Sequence, residues 1–398
     1  MAVRILLAPD SFKESLSARA AVAAMTCGTQ ASGVDPLDID PCPLSDGGEG
    51  FIDALHHAIP HLDRVTTRTR GPDPQDATDN VVSLGLLEES ADAPRTVFVE
   101  MAQSAGLAQV PRDRRDPERL STFGVGQAIL AALDLQPDRI VLGVGGSATV
   151  DGGAGMAQAL GARFFETDAE IAPPIPAAQL QGVSRIDLDG LDPRLSATRL
   201  EVWCDVDNPL LGEHGAARVF GPQKGATPDA VVRLEHGLAN LAKHIRNATG
   251  RDIAATPSGG AAGGIAAGAV GMFGARIVPG ADALLDAAGF DARAAQADLV
   301  FTGEGSLDAQ SLAGKLVSRV AQRAARQGAP VVALVGRIDA DAATLADLGL
   351  AGALEIGPGL PPAESIRRAP QLLEDAARRV AAAWPAPAPG LRAICWPA

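Results

Sequence analysis

"RIVLGVGGSATVDGGAGMAQALGARFF" (residues 139–165) sets a short apolar run, a glycine-rich turn and a helical pattern end to end. RIVLG has the length and branched side chains of a buried strand, and the run from Met156 reads as a helix. Residues 143–156 hold six glycines, one Ser, one Thr and one Asp, so whatever this turn binds is held chiefly by backbone. Glycine lets N–H groups approach a ligand with no Cβ in the way, and a helix N-terminus adds a potential favourable to negative charge. The stretch therefore reads as a cradle for a phosphate or a carboxylate, with Ser147 and Thr149 adding hydroxyl donors. Asp151 is placed either to cap the helix or to orient a metal or a hydroxyl.

The same alternation extends in both directions. Strand-like runs occur at 4–8, 37–41, 96–101, 200–206, 298–303 and 330–336. Ala-rich helical patterns occur at 17–30, 50–59, 124–134, 228–247, 313–328 and finally 362–384. Short apolar strands alternating with helices predict an α/β fold with mainly parallel sheets. At 398 residues the chain exceeds what one core usually serves, so two domains are expected. Segments 67–80 and 283–298 are the places where the chain is expected to pass between them. That gives one domain built from both chain ends, residues 1–70 and 286–384, and a second inserted at 71–285. The Pro- and Ala-rich end, 385–398, is expected to be a flexible tail.

A hydrophobic fraction of 46% supports real cores, while a net charge of −14 with no basic stripe offers nothing to nucleic acid or an anionic membrane. Attraction for an anionic ligand has to be built locally. The N-terminal MAVRILLAPD lacks the basic start and long apolar core of a signal peptide, and no apolar run approaches a membrane span of about 20 residues, so a cytoplasmic location is expected. Cys27, Cys42, Cys204 and Cys395 are far apart with no C-x-x-C pair, against both a disulfide framework and a zinc site. Only four of the 34 basic residues are Lys. Three of them, Lys13 in DSFKES, Lys224 in GPQKGATP and Lys315 in AGKL, sit among small residues, where a compact ammonium suits a tight anion site better than a guanidinium.

In open parallel sheets ligands bind beyond the carboxyl ends of the strands. There this chain places Asp10, Ser11 and Ser15; Asp46, Gly47, Gly48 and Glu49; Glu100 and Ser104; Asp205, Asp207 and Asn208; and Gly303, Glu304, Asp308 and Gln310. Each loop alone is ordinary capping and turn chemistry. Their repetition at strand after strand describes one large polar site. Two chemistries fit it. Gly143 to Ala148 matches G-x-G-x-x-G/A with Glu166 at roughly the spacing of a ribose-binding acid, which would make a dinucleotide-binding oxidoreductase. A kinase without a Walker A loop is the other, since carboxylates for Mg²⁺, cations and N–H groups for phosphates, and a proton acceptor are all present.

Six motifs in order, APDSFKESLSA, PLSDGGEG, GGSATVDGGAGMAQALG, CDVDNPLLG, VFGPQKGATP and TGEGSLDAQSLAGK, resemble those of the bacterial glycerate kinases over nearly the whole chain. The resemblance implies two α/β domains, one of them Rossmann- or flavodoxin-like, with the active site in the cleft between them. It implies transfer of the γ-phosphoryl group of ATP to D-glycerate, giving 2-phosphoglycerate, with Mg²⁺, in a monomer or homodimer that binds neither nucleic acid nor membrane. Allocated by chemical type, Asp205 or Asp46 takes the hydroxyl proton, and Lys13, Lys224 and Lys315 neutralise carboxylate or phosphate oxygens. Asp10, Asp207, Glu304 and Asp308 are the candidates for Mg²⁺. Ser11, Ser15, Gly47, Gly48, Ser104, Gly145, Gly146, Ser147, Thr149, Asp151, Asn208, Gly303 and Gln310 complete the expected binding surface. The chain departs from the family pattern at Phe51, where Thr is common, at Ser306, where a basic residue is common, and from Leu316 onward.

Overall fold

The structure is a computed structural model and describes residues 2–12, 15–59, 61–76, 79–88, 94–307, 316–339 and 341–384. The expected tail at 385–398, together with Lys13, Asp308, Gln310 and Lys315, lies outside the described residues. In chain order the strands are β1 (Val3–Leu7), β2 (Leu37–Pro41), β3 (Asp63–Arg70), β4 (Asp79–Leu87), β5 (Thr96–Glu100), β6 (Arg139–Gly143) and β7 (Arg163–Glu166). They continue as β8 (Ala169–Glu170), β9 (Arg185–Asp187), β10 (Arg199–Cys204), β11 (Arg276–Pro279), β12 (Leu299–Thr302), β13 (Val331–Val335) and β14 (Gly352–Glu355). The chain divides into two compact units, Met1–Asp46 with Asp53–Pro60 and Ala281–Ala398, and Gly47–Ile52 with His61–Gly280.

The first unit carries a parallel five-stranded sheet in the order β14-β13-β12-β1-β2. Counted within the unit this is 2-1-3-4-5 from one edge, the flavodoxin-like winding, whose strand order reverses between β1 and β12. Ile5, Leu7, Leu299, Phe301, Val332 and Leu334 are fully buried in its core, as continuous apolar runs must be when helices cover both faces. The helix Ala18–Gln30 starts at Ser17, whose side chain accepts the N–H of Ala20, and packs on the helix Pro362–Ala383. Their approach depends on Gly28, where a Cβ would stand 2.0 Å from the carbonyl oxygen of Glu374. Gly28→Ala is therefore expected to cost about 1–3 kcal/mol in urea unfolding despite the better helix propensity of Ala. An unchanged midpoint would contradict the close crossing.

The second unit carries a six-stranded sheet, β11-β10-β6-β5-β4-β3, parallel from β11 to β5 and antiparallel through β4 and β3, and a small antiparallel sheet β8-β7-β9. Its cores gather Val97, Val99, Ile129, Ile140, Leu142 and Val202 around the large sheet, and Phe164, Leu234, Leu238, Leu241 and Ile245 under the helix Pro228–Thr249. That helix is capped by the Thr227 side chain, starts on Pro228 and stops at left-handed Gly250.

Three sequence expectations change. The passage expected at 67–80 is largely the hairpin β3–β4, whose DRVTTRTR strand is an exposed edge and so carries the charge of a linker. With that hairpin in the second sheet, the units divide at Pro60/His61 and Gly280/Ala281, against the sequence boundaries of 70/71 and 285/286. The passage expected at 283–298 holds the helices Gly280–Ala287 and Phe290–Ala294, with Leu284, Leu285 and Phe290 fully buried. After Met156 the helix ends at Ala159, and RFFE is the strand β7. Among the described residues, no helix is long and apolar enough to cross a membrane.

Candidate active site

In the first unit the reversal of strand order brings the ends of β1 and β12 together. The N–H of Asp10 donates to the carbonyl of Gly303 (2.9 Å), and Thr302 Oγ1 donates to that of Ala8 (2.9 Å). Asp10 is buried, and its Oδ1 accepts the N–H of Ser11 at 2.6 Å. Only glycine fits at 303, because a Cβ would stand 2.1 Å from the carbonyl oxygen of Leu334 on β13. Glu304 follows, fixed through its carbonyl by the N–H of Gly336 (3.1 Å). Asp10, Ser11, Gly303 and Glu304 thus share one edge of this sheet, at the winding's usual ligand position. Ser15 is turned to the last helix, with its Oγ 3.5 Å from the carbonyl oxygen of Ile366, and Asp46 is half-buried.

In the second unit the turn after β6 is fastened on several sides. Gly145 N–H donates to the carbonyl of Gly47 (3.0 Å), Leu107 N–H to that of Gly146 (2.8 Å), and Ala148 N–H to that of Ala105 (2.9 Å). The segment 47–52 is itself held by buried Glu100, whose Oε1 accepts the N–H of Gly50 (3.0 Å) and Oε2 that of Ile52 (3.1 Å). Among the described residues, the N–H groups of Gly146, Ser147 and Thr149 find no acceptor in the chain. Unpaired donors in a fastened loop are what an anion needs. In the parallel register Trp203 pairs with Gly143, so Asp205 leaves β10 beside the point where Gly145 leaves β6.

Under the turn lies a buried polar cluster. Lys224 is 3% exposed, and its Nζ donates to Ser147 Oγ at 2.6 Å and to the carbonyl of Thr149 at 2.8 Å. Gly225 permits this placement: it is left-handed, and a Cβ there would stand 2.3 Å from the carbonyl oxygen of Arg115. Burial pushes the Lys224 ammonium down to about 7, with the carboxylate of Asp151 acting against the shift. Asp151 is fully buried, and burial pushes its carboxyl upward against four donors. These are Thr122 N–H (2.8 Å) and Oγ1 (2.7 Å), Gly153 N–H (3.1 Å) and Gly155 N–H (3.2 Å). Asp151 therefore braces the start of the helix Ala154–Ala159. Thr149 Oγ1 and Ser121 Oγ are buried with no partner among the described residues.

Of the other expected residues, Ser104 is buried and shares a hydrogen bond with Thr69 (3.0 Å), facing β3. Asn208 donates to the carbonyl of His214 (2.8 Å), and Asp207 is exposed. Gly47 and Gly48 are buried, Gly47 with a φ of 85°. Phe51 is core: it is 1% exposed and meets Trp203 and Phe98 edge to face, at ring distances of 5.8 and 6.3 Å. Gly143 makes room for that ring, since a Cβ would stand 2.7 Å from it. The dinucleotide reading of 143–148 fails here, because no helix begins until Ala154 and Glu166 lies in the small antiparallel sheet. Burial also pushes the Cys204 and Cys42 thiols up to about 12 and about 11, so neither is a nucleophile near neutral pH.

Sequence reasoning missed residues 258–264. Ser258, Ala262, Gly263 and Gly264 are all left-handed. The segment takes the N–H of Gly152 on the carbonyl of Gly263 (3.0 Å) and donates from Gly260 to the carbonyl of Asn208 (2.8 Å). It ties the turn after β6 to the loop after β10. The doubled glycines in SGGAAGG are the signal that could have found it.

Against known proteins, the model of the glycerate kinase family matches residues 5–385. The chain is 39% identical to the glycerate kinase of Halalkalibacterium halodurans over 381 residues, covering 95% of this chain and 97% of that one. It is 38% identical to the glycerate 2-kinase of Escherichia coli, over 87% of this chain and 89% of that one. A crystal structure from Salmonella typhimurium LT2, assigned as glycerate kinase 2, superposes with a TM-score of 0.73 at 40% identity, covering 96% of this chain and 98% of that one.

Proposed function

The chain belongs to the glycerate kinase family, and from that premise we propose that it transfers the γ-phosphoryl group of ATP to the C2 hydroxyl of D-glycerate, giving 2-phosphoglycerate. The observation that carries the acceptor side is the fastened turn at 145–149, with three N–H groups that have no acceptor among the described residues and a buried ammonium beneath. Glycerate's carboxylate takes those N–H groups and the hydroxyl of Ser147. Asp205, beside the turn in register, accepts the hydroxyl proton as the new O–P bond forms and the bond from the γ-phosphorus to ADP breaks. Asp46 is the alternative acceptor.

On the nucleotide side, Asp10 and Glu304 would hold Mg²⁺ at the reversal point of the first sheet. No group of three metal-binding side chains occurs among the described residues. That donor set still fits Mg²⁺, which keeps water and phosphate ligands and needs only one or two carboxylates. When bound, the ion would neutralise charge on the phosphate oxygens. Lys13 and Lys315, with Gln310, serve the phosphates, and Asp308 and Asp207 are further candidates for the ion. The protein acts in the cytoplasm as a monomer or homodimer.

The reading is tested by coupled ADP release with Mg-ATP against D-glycerate, L-glycerate, glycolate, tartronate and no acceptor, followed by enolase. D-glycerate-dependent ADP and a product that enolase consumes directly are expected. A product consumed only after a mutase is added would move the transfer to C3, and acceptor-independent ADP release would sink the reading.

A further inference from the structure

We propose that Lys224 is a positioning residue that acts on the substrate's carboxylate through Ser147, its ammonium making the Ser147 hydroxyl a donor to that carboxylate. This rests on the assignment of the carboxylate to the 145–149 turn made above. An ammonium carries only donors, whereas a hydroxyl has one hydrogen and two acceptor lone pairs. With Lys224 Nζ 2.6 Å away, Ser147 Oγ must therefore accept from it. The hydroxyl hydrogen is left to seek another acceptor, and among the described residues the chain supplies none. A carboxylate on the neighbouring N–H groups supplies it, through a charge-assisted bond.

The arrangement is rigid on both sides. Ser147 is 6% exposed, and its backbone is clamped by the pairing of 146–148 with 105–107. Lys224 is held by its second bond, to the carbonyl of Thr149. The charged groups packed about this corner are Asp151, whose carboxylate favours the ammonium, and Arg115, whose guanidinium is directed to the carbonyls of Val110 (3.3 Å) and Leu107 (3.5 Å). If Lys224 lost its proton, the amine lone pair could accept the Ser147 hydrogen and turn it inward, and the outward donor would be gone. Burial places that loss at about 7 in the unliganded protein, well below an ordinary lysine. Anion affinity is then highest below that pH and declines above it.

The test is calorimetric binding of D-glycerate to the full chain and its Ser147→Ala, Lys224→Met and doubly substituted variants. Each single change is expected to weaken binding about tenfold or more while leaving Mg-ATP affinity unchanged. The double variant should be no more than about twofold weaker than Lys224→Met, because both changes remove one path. Multiplying losses would mean that Lys224 touches the ligand itself, and would overturn the proposal. Should Lys224→Met fail to fold, the wild type against Ser147→Ala decides between about pH 6 and pH 9. Wild-type affinity is expected to fall across that range and the variant's to stay flat, whereas an equal fall in both refutes the relay. No binding to the wild type at any pH would overturn the carboxylate assignment, and the relay with it.

Discussion

Asp151→Ala lowers the stability of the second unit by about 3–5 kcal/mol and its melting temperature by roughly 10 °C. The substitution leaves the N–H groups of Thr122, Gly153 and Gly155 and the hydroxyl of Thr122 without the acceptor they share, all in a region closed to water. It also strips the buried ammonium of Lys224 of its attracting charge. Each unsatisfied buried donor costs about 1–3 kcal/mol before relaxation, so partial repair by a trapped water still leaves a large loss. Asp151→Asn separates charge from geometry. Its single oxygen can take the place of Oδ2, which accepts three of the four bonds, leaving one opposed pair of donors at Gly153. The expected order is therefore wild type, then Asn, then Ala, read by differential scanning calorimetry. Equal stability of all three would mean that the helix Ala154–Ala159 holds its start without the carboxylate.

The same residue marks how far the sequence reaches. Asp151 stood in the glycine-rich turn with two readings, a cap or an aid to a metal or hydroxyl. Deciding between them required knowing that Thr122, far away in sequence, faces it. Parallel strands were legible because burial on both faces leaves unbroken apolar runs, as in β13, which is buried along its length and falls within the expected residues 330–336. The edge strand β3 was not legible, since one exposed face carries arginines that resemble a linker. Gly143 was visible as glycine but not as the space for Phe51, because which ring packs over a strand is a tertiary fact. Lys224 was singled out from its small neighbours. Its position beneath the turn, and not on it, follows from the close pass of Gly225 over Arg115, which no local pattern encodes.

Two of the site's features separate what binds from what reacts. The turn at 145–149 offers donors, which stabilise a carboxylate equally in the ground state and the transition state and so serve affinity. A proton acceptor matters only as the hydroxyl becomes a nucleophile, and so serves the rate. Substitutions in the turn should therefore change KM, and substitution of the acceptor should change kcat.

Asp205→Asn is accordingly expected to lower kcat by about 10²–10⁴-fold with KM for D-glycerate changed by less than about threefold. The position supports this division. Asp205 follows β10 one residue beyond Cys204, and β10 runs in register with β6, so its backbone leaves the sheet beside the turn proposed to hold glycerate without being part of it. Asn keeps the volume and can still hydrogen-bond the hydroxyl, so substrate binding survives, but an amide oxygen cannot take the proton. The pH dependence should change in kind: in the wild type kcat/KM rises as the acceptor loses its proton, and in the variant that acid limb disappears. Asp46→Asn is the informative counterpart, because Asp46 precedes the glycine whose carbonyl receives the N–H of Gly145. If Asp46→Asn loses the limb and Asp205→Asn keeps both limb and rate, the proton goes to Asp46, and Asp205 is left to shape the turn from the side.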